Sequence, residues 1–301
     1  MKTASVIRPK TKVFEFNLKE IWLYRDLILM FIKRDIVTLY KQTILGPLWN
    51  IVQPAITVVM YMLVFGGIAG IPTEGIPQPL FYLSGVCMWQ YLADCLIKTS
   101  NTFATNVGLF SKVYFPRLIC PISAVFSNLF RFCIQFFLFV AVYLCYVFFG
   151  TDLHPNWYML LMPILVMMLA GIALGIGNII STISIKYRDM QVLFTFIVQI
   201  WMYATPIVYP LTHVSGKYLN LIICLNPITP IIRTFRYSCF GVGEFIGWEW
   251  LSYSFFFMVI ILLIGILVFM FIVPKHYKKL FLTPSVYWKT LKNFKKIVNK
   301  F

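Results

Sequence analysis

WYMLLMPILVMMLAGIALGIGNIISTIS, residues 157–184, runs for 28 positions without one Lys, Arg, Asp or Glu. A helix needs roughly 20 apolar residues to cross a hydrocarbon core about 30 Å thick. In lipid its backbone groups must be paired within the segment itself, which a helix achieves. The stretch therefore reads as a membrane-spanning helix, and it does not stand alone. Uncharged windows also cover 42–73, 75–93, 132–151, 190–216 and 250–274, with shorter ones at 118–130 and 218–232. Allowing for Pro and Gly breaks, six spans are expected near 48–69, 79–97, 128–149, 157–184, 191–210 and 250–273. The third starts awkwardly, with Pro121 ahead of it and Arg131 near its beginning, so 118–130 is expected to be a separate half-buried helix turning into it.

Composition agrees. The 301 residues are 60% hydrophobic and only 12% charged, with a mean hydropathy of +0.82. Ordinary soluble domains hold about 45–50% apolar and about 25% charged residues. A soluble globular enzyme, a disordered tail and a secreted disulfide scaffold are excluded. The net charge of +16 would suggest nucleic acid on a soluble domain, but here its placement follows the membrane. Twenty-two of the 26 basic residues fall on one side of a six-span arrangement: in 1–45, 98–117, 186–189 and 274–301. Opposite loops 70–78 and 150–156 carry none, and 211–249 carries Lys217, Arg233 and Arg236. The positive-inside rule puts both termini in the cytoplasm, which an even span count satisfies. Residues 1–20 lack the apolar core of a cleaved signal peptide. The organisation expected is a cytoplasmic N-terminus (1–45), a six-helix membrane domain (46–273) and a basic cytoplasmic tail (274–301).

Several segments are not spans. Residues 17–41 interleave apolar and charged positions at helical spacing: Trp22, Leu27, Phe31 and Ile36 among Arg25, Asp26, Lys33, Arg34 and Asp35. Such a helix lies in the interface, with Asn17 and Glu20 placed as a capping box. It serves as a plain anchor or as a platform for a cytoplasmic partner. The loop 98–117 is polar, then basic and aromatic, and suggests a docking surface; Lys186–Asp189 is a tight charged turn. On the far side, Asn226-Pro227 and Thr229-Pro230 break an oily stretch within 211–249, which suits two short re-entrant helices. Arg233 and Arg236 would then reach the outer headgroups, by snorkelling or to meet an anionic substrate.

Chemistry is sparse. His154, His213 and His276 are scattered, Glu244 and Glu249 are not side by side on a helix, and no set of metal ligands is spaced for binding. Gly216-Lys217 lacks the upstream glycine of a nucleotide-binding loop, so ATP hydrolysis by that route belongs to another chain. Asp94 and Arg131 are the ionisable residues nearest to span interiors, and their interfacial positions argue against a proton relay. The seven Cys read as buried structural thiols. Aromatics make up 18% of the chain. Trp89, Tyr91, Trp201, Tyr203 and Tyr209 either join the interfacial belts or line a pore whose ring faces suit sugars.

Five motifs in order carry a resemblance. Tyr40–Trp49 with Gln53-Pro54, Lys112–Arg117, Tyr187-Arg188-Asp189, Thr205–Pro210, and Asn226-Pro227 with Arg233 resemble bacterial polysaccharide-export ABC-transporter permeases over roughly residues 15–275. The resemblance implies an all-α membrane subunit that pairs with a second copy of itself and two copies of a separate ATPase, where ATP and magnesium act. It would sit in the bacterial inner membrane among its lipids and export a lipid-linked polysaccharide. O-antigen on undecaprenyl diphosphate is the expected cargo; capsule and teichoic acid belong to close relatives. It also makes 17–41 the interface helix and 101–117 a coupling segment, with Asn106, Phe110, Lys112, Tyr114, Phe115, Arg117, Arg188 and Asp189 toward the ATPase. Asn226, Pro227, Arg233 and Arg236 fall at the periplasmic mouth. The competing readings are a drug or small-lipid exporter and, in a different class, a membrane glycosyl- or acyltransferase, for which no acid/base pair is found.

Overall fold

The computed structural model describes residues 22–41, 43–110, 115–151, 153–211, 223–242 and 245–281. It is built of helices and turns, with no strand among the described residues. A helix of mixed apolar and charged residues, α1 (Arg25–Tyr40), is followed through a Pro47-containing turn by α2 (Trp49–Tyr61). The first span, Gly46–Ile68, ends in seven residues of wider π-helix, Met62–Ile68. Then come α3 (Gln78–Ser100), a short α4 (Thr102–Phe110), α5 (Ile119–Phe148), α6 (Met162–Ser184), α7 (Met190–Tyr203), α8 (Ile228–Phe240) and α9 (Trp248–Phe281).

Among the described residues, five helical stretches are long and apolar enough to cross a membrane: Gly46–Ile68, Gln78–Ser100, Ile119–Phe148, Trp157–Ser184 and Trp248–Met270. The fourth matches the expected 157–184 at both ends. Two expectations are corrected. Residues 118–130 are not a separate helix, because α5 runs unbroken for 30 residues from Ile119. Pro121 falls in its first turn, where the missing N–H has no helical partner to lose. The expected span 191–210 is also shorter: α7 holds 14 residues and stops at Tyr203. Pro206 disfavours helical geometry in the residue before it, so Ala204 and Thr205 form only a closing turn, with N–H bonds to Trp201 and Met202 carbonyls. At 1.5 Å per residue α7 covers about 21 Å.

The sequence explains which helix is central. α3 is buried along most of its length, from Leu80 to Ser100, and touches α2, α5, α6 and α7. α6 and α9 approach most closely, because Gly175 and Gly265 face each other; a Cβ on Gly175 would stand 2.6 Å from the Ile261 carbonyl oxygen. Small residues permitting backbone contact are the usual means of joining helices in lipid, where apolar burial gives no advantage. The outer faces of α2, α5, α7 and α9 remain apolar and exposed. Of the seven free thiols, Cys87, Cys95, Cys120 and Cys239 are buried as expected, whereas Cys133 and Cys145 face outward from α5.

Candidate functional site

One end of the bundle gathers the basic segments. Phe31 of α1 meets Phe115 edge-on at 5.9 Å, Phe110 stacks on Phe115 at 5.6 Å, and Phe103 lies 5.3 Å from Phe110. Leu118, Ile119 and Cys120 of the α5 start and Phe269 of α9 complete this cluster, with Ile185 at the end of α6 against it. Thus α1, α4 and the turn after α6 share one end. The residues expected to face an ATPase divide in two. Phe110 and Phe115 are buried inside the cluster and brace α4. Arg188 and Asp189 are exposed, while Asn106 and Arg117 are half-buried. Asn106 departs from helical geometry and its Nδ2 donates to the Thr102 carbonyl (2.9 Å), kinking α4 so that Ala104, Thr105 and Gly108 lie outward. Lys112 and Tyr114 lie outside the described residues, as do Asn17 and Glu20.

α1 is two-faced. Tyr24, Leu27, Ile28 and Phe31 pack inward, whereas Trp22, Leu23, Leu29 and Met30 present apolar surface outward. The charged Arg25, Lys33 and Arg34 are exposed too, and the Arg34 guanidinium lies 4.8 Å from the Phe31 ring. This fits a helix held by protein on one side and an interface on the other.

Between α1, α3, α4 and α5 lies a cleft of about 680 Å³, with charged residues at its walls. On one wall Asp35 of α1 pairs with Lys98 of α3 at 2.9 Å and with its neighbour Arg34 at 2.9 Å, and Ser127 of α5 donates to it at 3.3 Å. Burial alone would raise the Asp35 pKa, but hydrogen bonds and charge from Lys98 and Arg34 together hold the carboxyl below its ordinary value. Deeper in, Asp94 pairs with Arg131 at 3.4 Å and accepts from Gln90 at 3.2 Å. Asp94 and Arg131 were read from the sequence as separate interfacial charges; the fold makes them one ion pair. Asp35, Lys98 and Asn128 were not singled out, since their partners lie on helices distant in sequence.

At the other end, α8 grips the broken end of α7. Asn226 Nδ2 donates to the Thr205 hydroxyl (2.9 Å) and the Ala204 carbonyl (3.3 Å), while its Oδ1 accepts from the Ile228 N–H. The Arg236 guanidinium donates to the carbonyls of Pro206 (2.7 Å), Ile207 (2.5 Å) and Phe81 (3.2 Å) and to the Ser84 hydroxyl (3.3 Å). It also lies 3.8 Å from the Phe81 ring. Arg236 is 7% exposed, so the expectation that it snorkels to headgroups is corrected. Its donors are consumed by backbone carbonyls that the Thr205-Pro206 break leaves without helical partners. Pro227 is buried at the start of α8, and Arg233 is half-buried beside it. Of the stretch 211–249 expected to form two re-entrant helices, residues 212–222 and 243–244 lie outside the described residues.

The five aromatics also part company. Trp89 and Tyr91 are buried within the chain, Trp89 edge-on to Trp201 at 6.4 Å and Tyr91 against Phe132 at 5.1 Å. Trp201 and Tyr209 are half-buried, and the Tyr209 hydroxyl donates to the Tyr203 carbonyl. Tyr203 is exposed on the same outer surface as Phe196 and Ile200.

Comparison with known proteins matches this architecture to one family. The ABC-2 type transporter family matches residues 26–240, from the start of α1 to the end of α8. The chain is 25% identical over 220 residues to the O-antigen export system permease protein RfbA of Myxococcus xanthus, covering 72% of this chain and 82% of the relative. It is 24% identical over 245 residues to RfbA of Klebsiella pneumoniae, covering 81% and 91%. It is also 22% identical to the polysialic acid transport protein KpsM of Escherichia coli, covering 67% and 77%. The resemblance read from the motifs is borne out, and this all-α membrane chain belongs to the ABC-2 type transporter family.

Proposed function

We propose that this chain is the membrane subunit of an exporter that moves lipid-linked polysaccharide, O-antigen foremost, across the bacterial inner membrane. The observation that carries the reading is the family match over α1 to α8, together with relatives named for O-antigen export and polysialic acid transport. The permease contains no nucleotide-binding loop in its sequence, so a separate ATPase, holding ATP and magnesium, supplies the work. Two ATPase copies dock on two permease copies at the basic end, which is cytoplasmic along with both termini. The outward face of α4 and the Arg188-Asp189 turn receive the ATPase, and α1 lies beside them in the interface. The export path runs between the two permease copies, where α2 and α7 present apolar and aromatic surface. Weak, repeated aromatic contacts suit a long polymer, because tight binding at one ring would stall it.

Deletion of the chain, followed by asking where glycan collects, tests this directly. Export predicts glycan retained inside on its lipid carrier. Glycan never made would instead indicate a synthase, and unaltered surface glycan would indicate a drug or small-lipid exporter. Capsular cargo, suggested by the KpsM relatives, is separated from O-antigen by which surface polymer disappears.

A further inference from the structure

The spans keep their uncovered surface apolar, with two exceptions. Glu249, Ser252 and Tyr253 lie near the start of α9, and Tyr203 ends α7. Apart from these, the exposed side chains described in the spans and in α7 lack an amide, hydroxyl or charge, save Gln53 of α2 and Gln199 of α7. Gln53 is the eighth residue of a 23-residue span and Gln199 the tenth of the 14 in α7. The Thr57 hydroxyl donates to the Gln53 backbone carbonyl at 2.9 Å, but neither side-chain amide has a partner among the described residues. A primary amide brings two N–H donors and an acceptor oxygen, and leaving them in hydrocarbon is costly. Something polar faces both.

The two positions are built alike. Trp49 stands one helical turn before Gln53, and Phe196 and Tyr203 stand one turn to either side of Gln199, all three rings exposed on the same helix faces as the amides. The two helices are also neighbours, since the Tyr61 hydroxyl at the end of α2 lies 3.4 Å from the Met202 sulfur of α7. Counted from that contact at 1.5 Å per residue, Gln53 lies about 12 Å and Gln199 about 4.5 Å back toward the basic end. The amides are two rungs, about 7.5 Å apart in level.

That arrangement narrows what faces them. Lipid tails offer no hydrogen bond. In a pair of copies related by one twofold axis, a residue meets its own image only at the axis, so at most one of the two amides is closed by its image. The stagger sets Gln53 of one copy and Gln199 of the other at different levels. A chain of sugars suits both: its hydroxyls donate and accept as an amide does, and its C–H faces pack on rings. Hydrogen bonds between neutral groups are modest in net strength, which lets a polymer move on.

We propose that Gln53 and Gln199 line the export path, their amides hydrogen-bonding the hydroxyls of passing sugars beside Trp49, Phe196 and Tyr203. The proposal rests on the polysaccharide-export reading and names the side chains that touch the cargo.

Gln53→Cys, Gln199→Cys and, as a lipid-facing control, Phe256→Cys are made singly in the full-length chain with native thiols replaced, together with its ATPase. Inside-out vesicles from a strain assembling glycan are energised with ATP and treated with a charged methanethiosulfonate, which modifies thiols in water and spares those among acyl tails. Both glutamine positions are expected to react at least tenfold faster than Phe256→Cys. A rate no faster than that control overturns the assignment of the residue concerned, and a disulfide between copies at such a slow position makes it a clasp between subunits instead. The double variant Gln53→Leu with Gln199→Leu is expected to reach the membrane at the parent level and melt at the parent temperature, while pulse-labelled glycan arrives at the surface at least fivefold more slowly. Gln53→Asn with Gln199→Asn, which keeps both amides, is expected to retain at least half the parent rate. Export at the parent rate by the leucine variant, or a fall in its level or melting temperature, overturns the proposal. The deletion assay above is independent: glycan retained on deletion, with parent-rate export by the leucine variant, rejects the lining and keeps the export reading, whereas a deletion that retains no glycan rejects the reading itself.

Discussion

Arg236 shows how a charge can be placed where no headgroup reaches it. Its guanidinium satisfies the carbonyls of Pro206 and Ile207, just beyond the end of α7, and ties that end to the α3 residues Phe81 and Ser84. Each buried group left without a partner costs about 1–3 kcal/mol. Arg236→Met is therefore expected to lower the melting temperature sharply and to reduce accumulation in the membrane, while Arg236→Lys, which keeps fewer donors, falls between. Thermal unfolding monitored in detergent measures both. Asp35 makes the opposite kind of prediction, because its environment favours the charged form. A carboxyl whose folded pKa is depressed stabilises the fold above its ordinary titration range and loses that contribution only as pH falls through the lower folded value. The tie between α1 and α3 is thus expected to persist at pH 5, well above the ordinary carboxylate range near 4. Asp35→Asn should lose about 1 kcal/mol at every pH above that range, given the partial exposure of Lys98. Neither role was legible in the sequence. Arg236 reaches a carbonyl 155 positions away and Asp35 a lysine 63 away, and a one-dimensional pattern shows charges without showing which helices will face each other.

Among the elements, spans one, two and four were legible almost to their ends, because uninterrupted apolar runs have no alternative in lipid. Errors came at prolines, Pro121 having been read as a boundary and Pro206 having been read through as far as residue 210. Pro121 sits harmlessly in a first helical turn, whereas Pro206 does end a helix, and the difference is position within the turn rather than residue type. The α6–α9 crossing was not seen, because Gly175 and Gly265 carry no hydropathy signal. Gly175→Val is expected to force the Ile261 backbone away, with overpacking that costs about 1–3 kcal/mol and a lower melting temperature. The segment proposed to couple to an ATPase likewise has to be read by face. Phe115→Asp would place a carboxylate inside the aromatic cluster of α1 and α4 and is expected to reduce protein level itself. Thr105→Arg on the outward face of α4 is expected to leave the level unchanged while lowering glycan-stimulated ATP hydrolysis. An unchanged hydrolysis rate in that variant, measured on the co-purified complex, would reject α4 as the docking element.

The whole molecule is asymmetric in what it leaves uncovered. Val59 and Met60 on α2, Leu63 in the π-helical end of the same span, and Phe196, Ile197 and Ile200 on α7 are exposed in the single chain, as are Phe256 and Leu263 on α9. If two copies pair through α2 and α7, a single cysteine placed at Ile200, with native thiols replaced, should cross-link readily between copies, and one placed at Phe256 should not. The short α7 adds a dimension of its own. A rod of about 21 Å, set among helices of 23 to 34 residues, is shorter than a hydrocarbon core of about 30 Å, and mismatch of this kind costs a fraction of a kcal/mol for each ångström. Lipid chain length is then expected to act on the protein without touching a single contact residue, short tails relieving the mismatch and long saturated tails increasing it.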